Sequence, residues 1–439
     1  MLPPIRYLLR LILPRLNMSD KLIKLGKRLQ EFEDAVLGSK VPKLDENLPC
    51  AERRRNCAIL MMYSGWDYYG MQRNAGFRTI EGDLLLALHK SGLISKDHLD
   101  NPFLIRFQRA SKTDKNVSAV GQVCNAKIPF SDESPVEKIN EHLPQQIRVL
   151  DVFRVTQSFS SKTACNHRTY QYILPTFAFA ARDSLTRESC WQYRISAETL
   201  THVNNMLNHF KGTHNFFNFT SRRTANDLSC RRYIMSIECG APFLLDGDRE
   251  FAVITVVGQS FMLHQIRKMI GLVIAIVSGH TTEAIFEKAF QGERLDLPKA
   301  PGLGLFLDKV DFTRYNTRFC NDGSHHPIDW NAYKEKMDVF KEEHIFRHIV
   351  QKEVEENSMQ EWLEGLCKHT FDYRPDGPPT LAPRSLIEQE TTRERGGAPA
   401  AVSSFKVDLP PVSTVKPSTD SAVPQPSTVN ATVNPVTLP

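Results

Sequence analysis

The feature that most constrains this chain is the apolar run Met269–Val277, broken only by Gly271. It is far shorter than the ~20 residues a membrane-spanning helix needs, so it must be buried in a protein core. Extended to Phe261–Ser278 and closed by Gly279, it reads as a helix with Leu263, Ile266, Ile270, Val273 and Val277 as its core-facing set. Runs of strand character lie before and after it: Cys57–Tyr63, Phe103–Phe107, Gln122–Ile128, Arg168–Leu174, Arg231–Glu238, Glu250–Val257 and Leu303–Val310. Among them Arg168–Leu174 alternates, which puts Tyr170, Tyr172 and Leu174 on one face. Two further helices are expected. One spans Thr79–Ser91 with Ile80, Leu84, Leu85 and Leu88 on one side; the other follows Ser196, a good N-cap, with Leu200, Val203, Leu207 and Phe210 as its stripe. Strands and helices do not alternate as regular βαβ units, and no glycine-rich nucleotide loop follows a strand. This pattern predicts an α+β architecture with antiparallel sheet.

The 439 residues leave room for flanking segments. Residues 1–17 carry Arg6, Arg10 and Arg15 among leucines and isoleucines, with no acid before Asp20, which is the composition of a mitochondrial transit segment. Met18 follows at once, so a second start there would yield a product without that segment. Residues 18–56 read as a charged helix and linker, residues 317–374 as a helical extension, and residues 375–439 as a disordered tail rich in Pro, Ser and Thr. Nine cysteines without a Cys-x-x-Cys pair argue against a secreted disulfide scaffold and against zinc-ligand spacing, and point to a reducing compartment. His344 and His348 are one helical turn apart but lack the glutamate of a metalloprotease motif, so they read as a solvated helix face. The net charge of +5 is too mild to identify a nucleic-acid binder on its own.

Chemistry enters with Phe107–Gln122, where Asp114 sits in a short polar loop between Lys112 and Lys115. A loop aspartate commonly makes a turn with its own backbone. Adjacent cations also favour the ionised carboxylate, which suits chemistry on a polyanion. The segment resembles the loop around the nucleophilic aspartate of the TruA-type tRNA pseudouridine synthases, Arg-Thr-Asp-x-Gly-Val-x-Ala-x-Gly-Gln. Thr113, Asp114, Val117, Ala119, Gly121 and Gln122 match in register. Two positions depart from it. Asn116 replaces a glycine, a mild change because asparagine tolerates the left-handed backbone. Lys112 replaces an arginine, keeping the charge but losing the planar fork of donors.

Other segments resemble the same family in the same order, over roughly Cys57–Tyr315. Phe261-Met-Leu-His-Gln-Ile-Arg267 is similar to its Phe-x-x-His-x-x-Arg helix, which implies that Arg267 pairs with Asp114 and that His264 lies at the substrate. An arginine beside so apolar a helix face also calls for a carboxylate on chemical grounds. Arg168-Thr-Tyr-Gln-Tyr172 is similar to the strand whose first tyrosine stacks on the target base, so Tyr170 is implied as stacking residue and proton acceptor. In Lys299–Leu307 the resemblance implies that Leu305 packs beside the uracil, and Gly212-Thr-His-Asn-Phe216 matches a further family segment. The family's fold implies two similar mixed α/β halves, here residues 57–158 and 159–316, whose sheets enclose a basic cleft.

Breaking and remaking the glycosidic bond of uridine needs no redox change, ATP or net water, so no cofactor and no metal is expected. Ser161-Lys162, Pro175–Ala180, Gly258–Met262 and Lys341–Ile345 are most similar to the eukaryotic nuclear and mitochondrial branch. That branch implies tRNA as partner, with anticodon-stem uridines 27 and 28 as targets and mRNA and small nuclear RNA as further substrates. It also implies residence in nucleus and mitochondrion, no membrane, and, with these extensions, a monomer. Extracting a paired uridine costs a few kcal/mol, which phosphate contacts must offset. Lys112, Lys115, Arg168, Arg222, Arg223 and Lys268 are the candidates. The alternative is an RNA-binding or RNA-folding protein on the same scaffold whose catalysis is impaired through Lys112.

Overall fold

A computed structural model describes residues 54–129, 133–221, 223–321, 323 and 325–373. The expected transit segment, nearly all of the charged segment before Arg54, the tail and Arg222 lie outside the described residues. Among the described residues there are ten strands: β1 (Arg54–Tyr63), β2 (Gln108–Arg109), β3 (Ser118–Pro129), β4 (Ile147–Arg154), β5 (Arg168–Pro175), β6 (Gly212–Asn215), β7 (Arg231–Cys239), β8 (Phe243–Leu245), β9 (Arg249–Gly258) and β10 (Leu305–Val310). They form one sheet in the order β4-β1-β3-β10-β5-β9-β7-β6, with β2 added to β3 and β8 to β9. The antiparallel expectation has one exception: β10 runs parallel to β3, with Phe306 opposite Ser118. That pairing joins into one sheet what the sequence suggested as separate antiparallel groups.

Three helices cover one face. Ile80–Lys90 begins at Thr79, whose side chain accepts the Gly82 amide, and Ala197–Asn208 begins at Ser196, which accepts the Thr199 amide. The third, Gln265–Val277, is buried along most of its length, as its composition demands. Gly271 has a steric reason. A Cβ there would lie 2.7 Å from the Pro298 carbonyl oxygen, so only glycine lets the 298–300 segment lie against this helix. On the other face Met62, Val120, Phe306, Ile173 and Phe251, one from each central strand, pack against Met337, Phe340, Ile345, Ile349 and Val350 of the C-terminal helices. Each such burial contributes roughly 1.5–3 kcal/mol. The sheet is therefore the middle layer of three.

Several expectations need correction. Phe103–Phe107 is not a strand. Pro102 starts a 3₁₀ turn over Pro102–Ile105, the Asn101 side chain caps it, and Arg106 leaves it in the left-handed region at φ 52°. Leu263 is not core: the helix starts only at Gln265, and Leu263 lies 44% exposed in the turn before it. The two histidines do not share a solvated face. His344 lies inside a π-helical turn, Lys341–Phe346, with its ring 4.6 Å from that of Phe340, whereas His348 belongs to the helix that follows, its half-buried ring 4.3 Å from that of Trp66. Among the described residues, no helix is long and apolar enough to cross a membrane.

Candidate active site

The loop before β3 is built by side chains that the motif contributes. Gln122 is fully buried and closes on Ser111 from both directions, its Nε2 donating to the Ser111 carbonyl at 2.9 Å and its Oε1 accepting the Ser111 amide at 3.2 Å. Thr113 is buried with its Oγ1 2.8 Å from the Tyr63 hydroxyl. The Asp114 carbonyl accepts the Val117 amide at 3.1 Å while Asn116 takes φ 61°, the left-handed conformation expected of a glycine substitute. The turn is thus made by backbone, and among the described residues the Asp114 carboxylate makes no hydrogen bond. The loop after β1 clamps this turn. The Asn116 amide donates to Tyr68 O and the Met71 amide to Thr113 O, both at 3.1 Å, and Gly70 (φ 91°) sits so close that a Cβ would lie 2.7 Å from Thr113 O.

Asp114, Tyr170, Arg267 and Leu305 line one cavity of about 260 Å³, with Lys112 and His264 at its walls. They come from three neighbouring strands and the helix above them: Asp114 precedes β3, Leu305 opens β10, Tyr170 lies in β5, and Arg267 is in the first turn of Gln265–Val277. Tyr170 is buried, its hydroxyl 2.7 Å from Ser111 Oγ and its ring meeting Phe261 edge-on at 5.2 Å. Arg267 donates from Nε to Ala300 O at 2.7 Å while its own carbonyl accepts the Ala300 amide at 3.1 Å. Tyr172 pins the same segment by donating to Pro301 O at 2.8 Å.

Electrostatics correct one expectation. Asp114 keeps over a third of its surface open, yet the recess is crowded, and loss of water raises its carboxyl above the usual aspartate range. The charges that pull it back are Arg267 and Lys299, not the flanking Lys112 and Lys115. Arg267 and Asp114 act on each other through space, without a direct ion pair. Burial lowers Arg267, with Tyr172 and Asp114 opposing; it lowers Lys299, with Arg267 adding and Asp114 opposing. Burial raises Tyr170, against the Ser111 hydrogen bond and Arg168, and Asp114 adds to the rise.

The remaining candidates lie away from the cavity wall. Lys115 places its ammonium 4.5 Å from the Tyr69 ring centroid. Arg168 braces backbone, donating to the carbonyls of Ala110, Gln259 and Lys162. Lys268 donates to Asn218 O at 2.9 Å, and Arg223 pairs with Asp227 at 2.9 Å. Three contributors were not singled out from sequence: Lys299, Ser111 and Phe261. Each stands inside a quoted motif, but its role depends on which segments the sheet brings together.

Residues 206–313 match the family model described as tRNA pseudouridine synthase. The chain is 52% identical over 316 residues to "Pseudouridylate synthase 1 homolog" of Homo sapiens, covering 71% of this chain and 73% of that protein. It is 50% identical over 330 residues to the Mus musculus protein of the same name, covering 74% and 77%. To "tRNA pseudouridine synthase 1" of Yarrowia lipolytica it is 30% identical over 417 residues, covering 76% and 79%. Together with the motif order and the cavity they build, these similarities show that the chain belongs to the TruA-type tRNA pseudouridine synthase family.

Proposed function

We propose that this chain isomerises uridine to pseudouridine in tRNA, with Asp114 as the essential carboxylate. The observation that carries this reading is the convergence of Asp114, Tyr170, Arg267 and Leu305 on one cavity from segments far apart in sequence. The reaction breaks N1–C1′, turns the uracil, forms C5–C1′ and moves the C5 proton so that N1 ends protonated; nothing is gained or lost. Asp114 acts at the ribose, as nucleophile at C1′ or as base at C2′. Arg267 and Lys299 keep it ionised against the burial that opposes its charge. Tyr170 and Leu305 hold the detached ring by contacts that permit rotation in its plane, and the Tyr170 hydroxyl, poised by Ser111, is the acceptor for the C5 proton.

In this reading the strands before and after the β3–β10 junction are two similar halves around a basic cleft. Lys112 and Arg267 at the cavity, and Lys299 acting on Asp114 through space, supply its charge. A flipped uridine enters there, from anticodon-stem positions 27 and 28 of tRNA and from accessible uridines in other RNAs, and the protein acts as a monomer. The test is tritium release from tRNA labelled at uracil C5, comparing wild type with Asp114→Ala and the isosteric Asp114→Asn. Release by wild type alone, with RNA binding retained by both variants, is the expected result. No release by any of the three from several tRNAs, with tight binding intact, would replace this reading by the RNA-binding one.

A further inference from the structure

The loop that clamps the Asp114 turn carries two large rings outside the core. Tyr69 is 49% and Phe77 43% exposed. Their ring centroids lie 4.6 Å apart at 38°, and the Lys115 ammonium lies 4.5 Å from the Tyr69 centroid. The pair is fixed with respect to the cavity. The Tyr69 amide donates to Arg78 O at 2.9 Å, Gly70 next to it abuts Thr113 and Asp114, and Lys115 directly follows Asp114. Rings placed this way meet three requirements of a nucleotide subsite: exposed aromatic surface, an adjacent cation, and a fixed attachment to the loop that carries Asp114.

We propose that Tyr69, Phe77 and Lys115 form a second RNA subsite that stacks a nucleobase flanking the target uridine and neutralises its phosphate. The proposal rests on the isomerase reading above. Its consequence is that the enzyme grips the strand beside the extracted uridine, so the neighbouring base, having lost its stacking partner, finds another on the protein. Stacking of this kind accepts any base. A protein partner fits less well, because the apolar area is two rings bordered by Lys115 and by Arg78, whose side chain is 49% exposed.

The experiment is a double-mutant cycle in equilibrium binding: wild type and Tyr69→Leu, each with intact RNA and with RNA made abasic at each nucleotide flanking the target. Tyr69→Leu should weaken binding of intact RNA about fivefold to a hundredfold, the range that loss of one base–aromatic stack spans. The abasic lesion at the contacted position should weaken wild type by a similar factor and Tyr69→Leu by almost nothing more. Tyr69→Phe keeps the ring and should restore tight binding, which separates stacking from loop damage. Lys115→Met should reduce the slope of log affinity against log salt by about one. Binding by Tyr69→Leu within twofold of wild type, or losses that multiply at every flanking position, would overturn the subsite. Wild-type tritium release in the same preparations separates the two failures: with release present only the subsite falls, and with release absent the isomerase reading falls as well.

Discussion

Gly70→Ala tests whether the loop after β1 sets the position of Asp114. Two costs apply and can be separated. The first is conformational: at φ 91° an alanine is strained, by about 1–2 kcal/mol. The second is steric. The new Cβ would lie 2.7 Å from Thr113 O, against an ordinary contact of 3.4 Å, so two backbone segments must part by about 0.7 Å. Overpacking of this kind adds roughly 1–3 kcal/mol to the loss of stability. Because the atoms displaced belong to Thr113 and Asp114, the carboxylate to which the proposed function assigns the chemistry moves with them. A misplacement near 1 Å can cost about a hundredfold in rate, so a loss between about tenfold and a hundredfold is expected here. Gly76→Ala is the matched control, with φ 80° and nothing within 4 Å of the added carbon. The assay is single-turnover tritium release at saturating RNA, well below the melting temperature of both variants, with melting measured alongside. Gly76→Ala should lose stability and keep its rate; Gly70→Ala should lose both. If the two variants turn over within about threefold of each other, the clamp does not set the geometry of Asp114.

Two further outcomes follow from the same site. On the proposed role the reaction needs Asp114 ionised, and burial raises its pKa, so the acid limb of kcat/KM should lie above the usual aspartate range; Arg267→Gln removes a charge that lowers that pKa, so the limb should move further up, and a limb that moves down or stays put in a pH–rate profile would contradict the through-space coupling. Lys112→Arg restores a planar donor fork at the cavity wall; tritium release should rise by no more than a few-fold if lysine suffices, whereas a gain of two orders of magnitude would favour an impaired enzyme that chiefly binds RNA.

Much of this architecture was legible in local pattern. Ser196 caps its helix as its position suggests, β5 places Tyr170, Tyr172 and Leu174 in one core, and Asn116 adopts the left-handed conformation a glycine would take. What failed locally did so for local reasons. Phe103–Phe107 has strand-like composition, but Pro102 and the Asn101 cap favour a turn, and the packing leaves Phe103 82% exposed. The apolar periodicity continues back to Leu263, but the left-handed His264 starts the helix only at Gln265. The expected strands do not include β2, β4, β6 or β8. Non-local features could not be read at all. The parallel match of β10 to β3 joins residues almost two hundred positions apart, and the action of Lys299 on Asp114 exists only once that match is made.

The place of β10 has a consequence for how the protein is made. It is the last strand among the described residues, yet it lies between β3 and β5 in the middle of the sheet. From the end of β3 at Pro129 to the end of β10 at Val310 is 181 residues, which a ribosome adding 5–20 residues per second needs about 10–35 s to synthesise. Until β10 is made, the inner edge of β3, and from Pro175 onward that of β5, has no native partner, and Asp114 and Tyr170 have no frame that holds them side by side. A nascent chain can therefore present basic loops to RNA before the frame that sets Asp114 beside Tyr170 exists, because that frame needs β10 between β3 and β5.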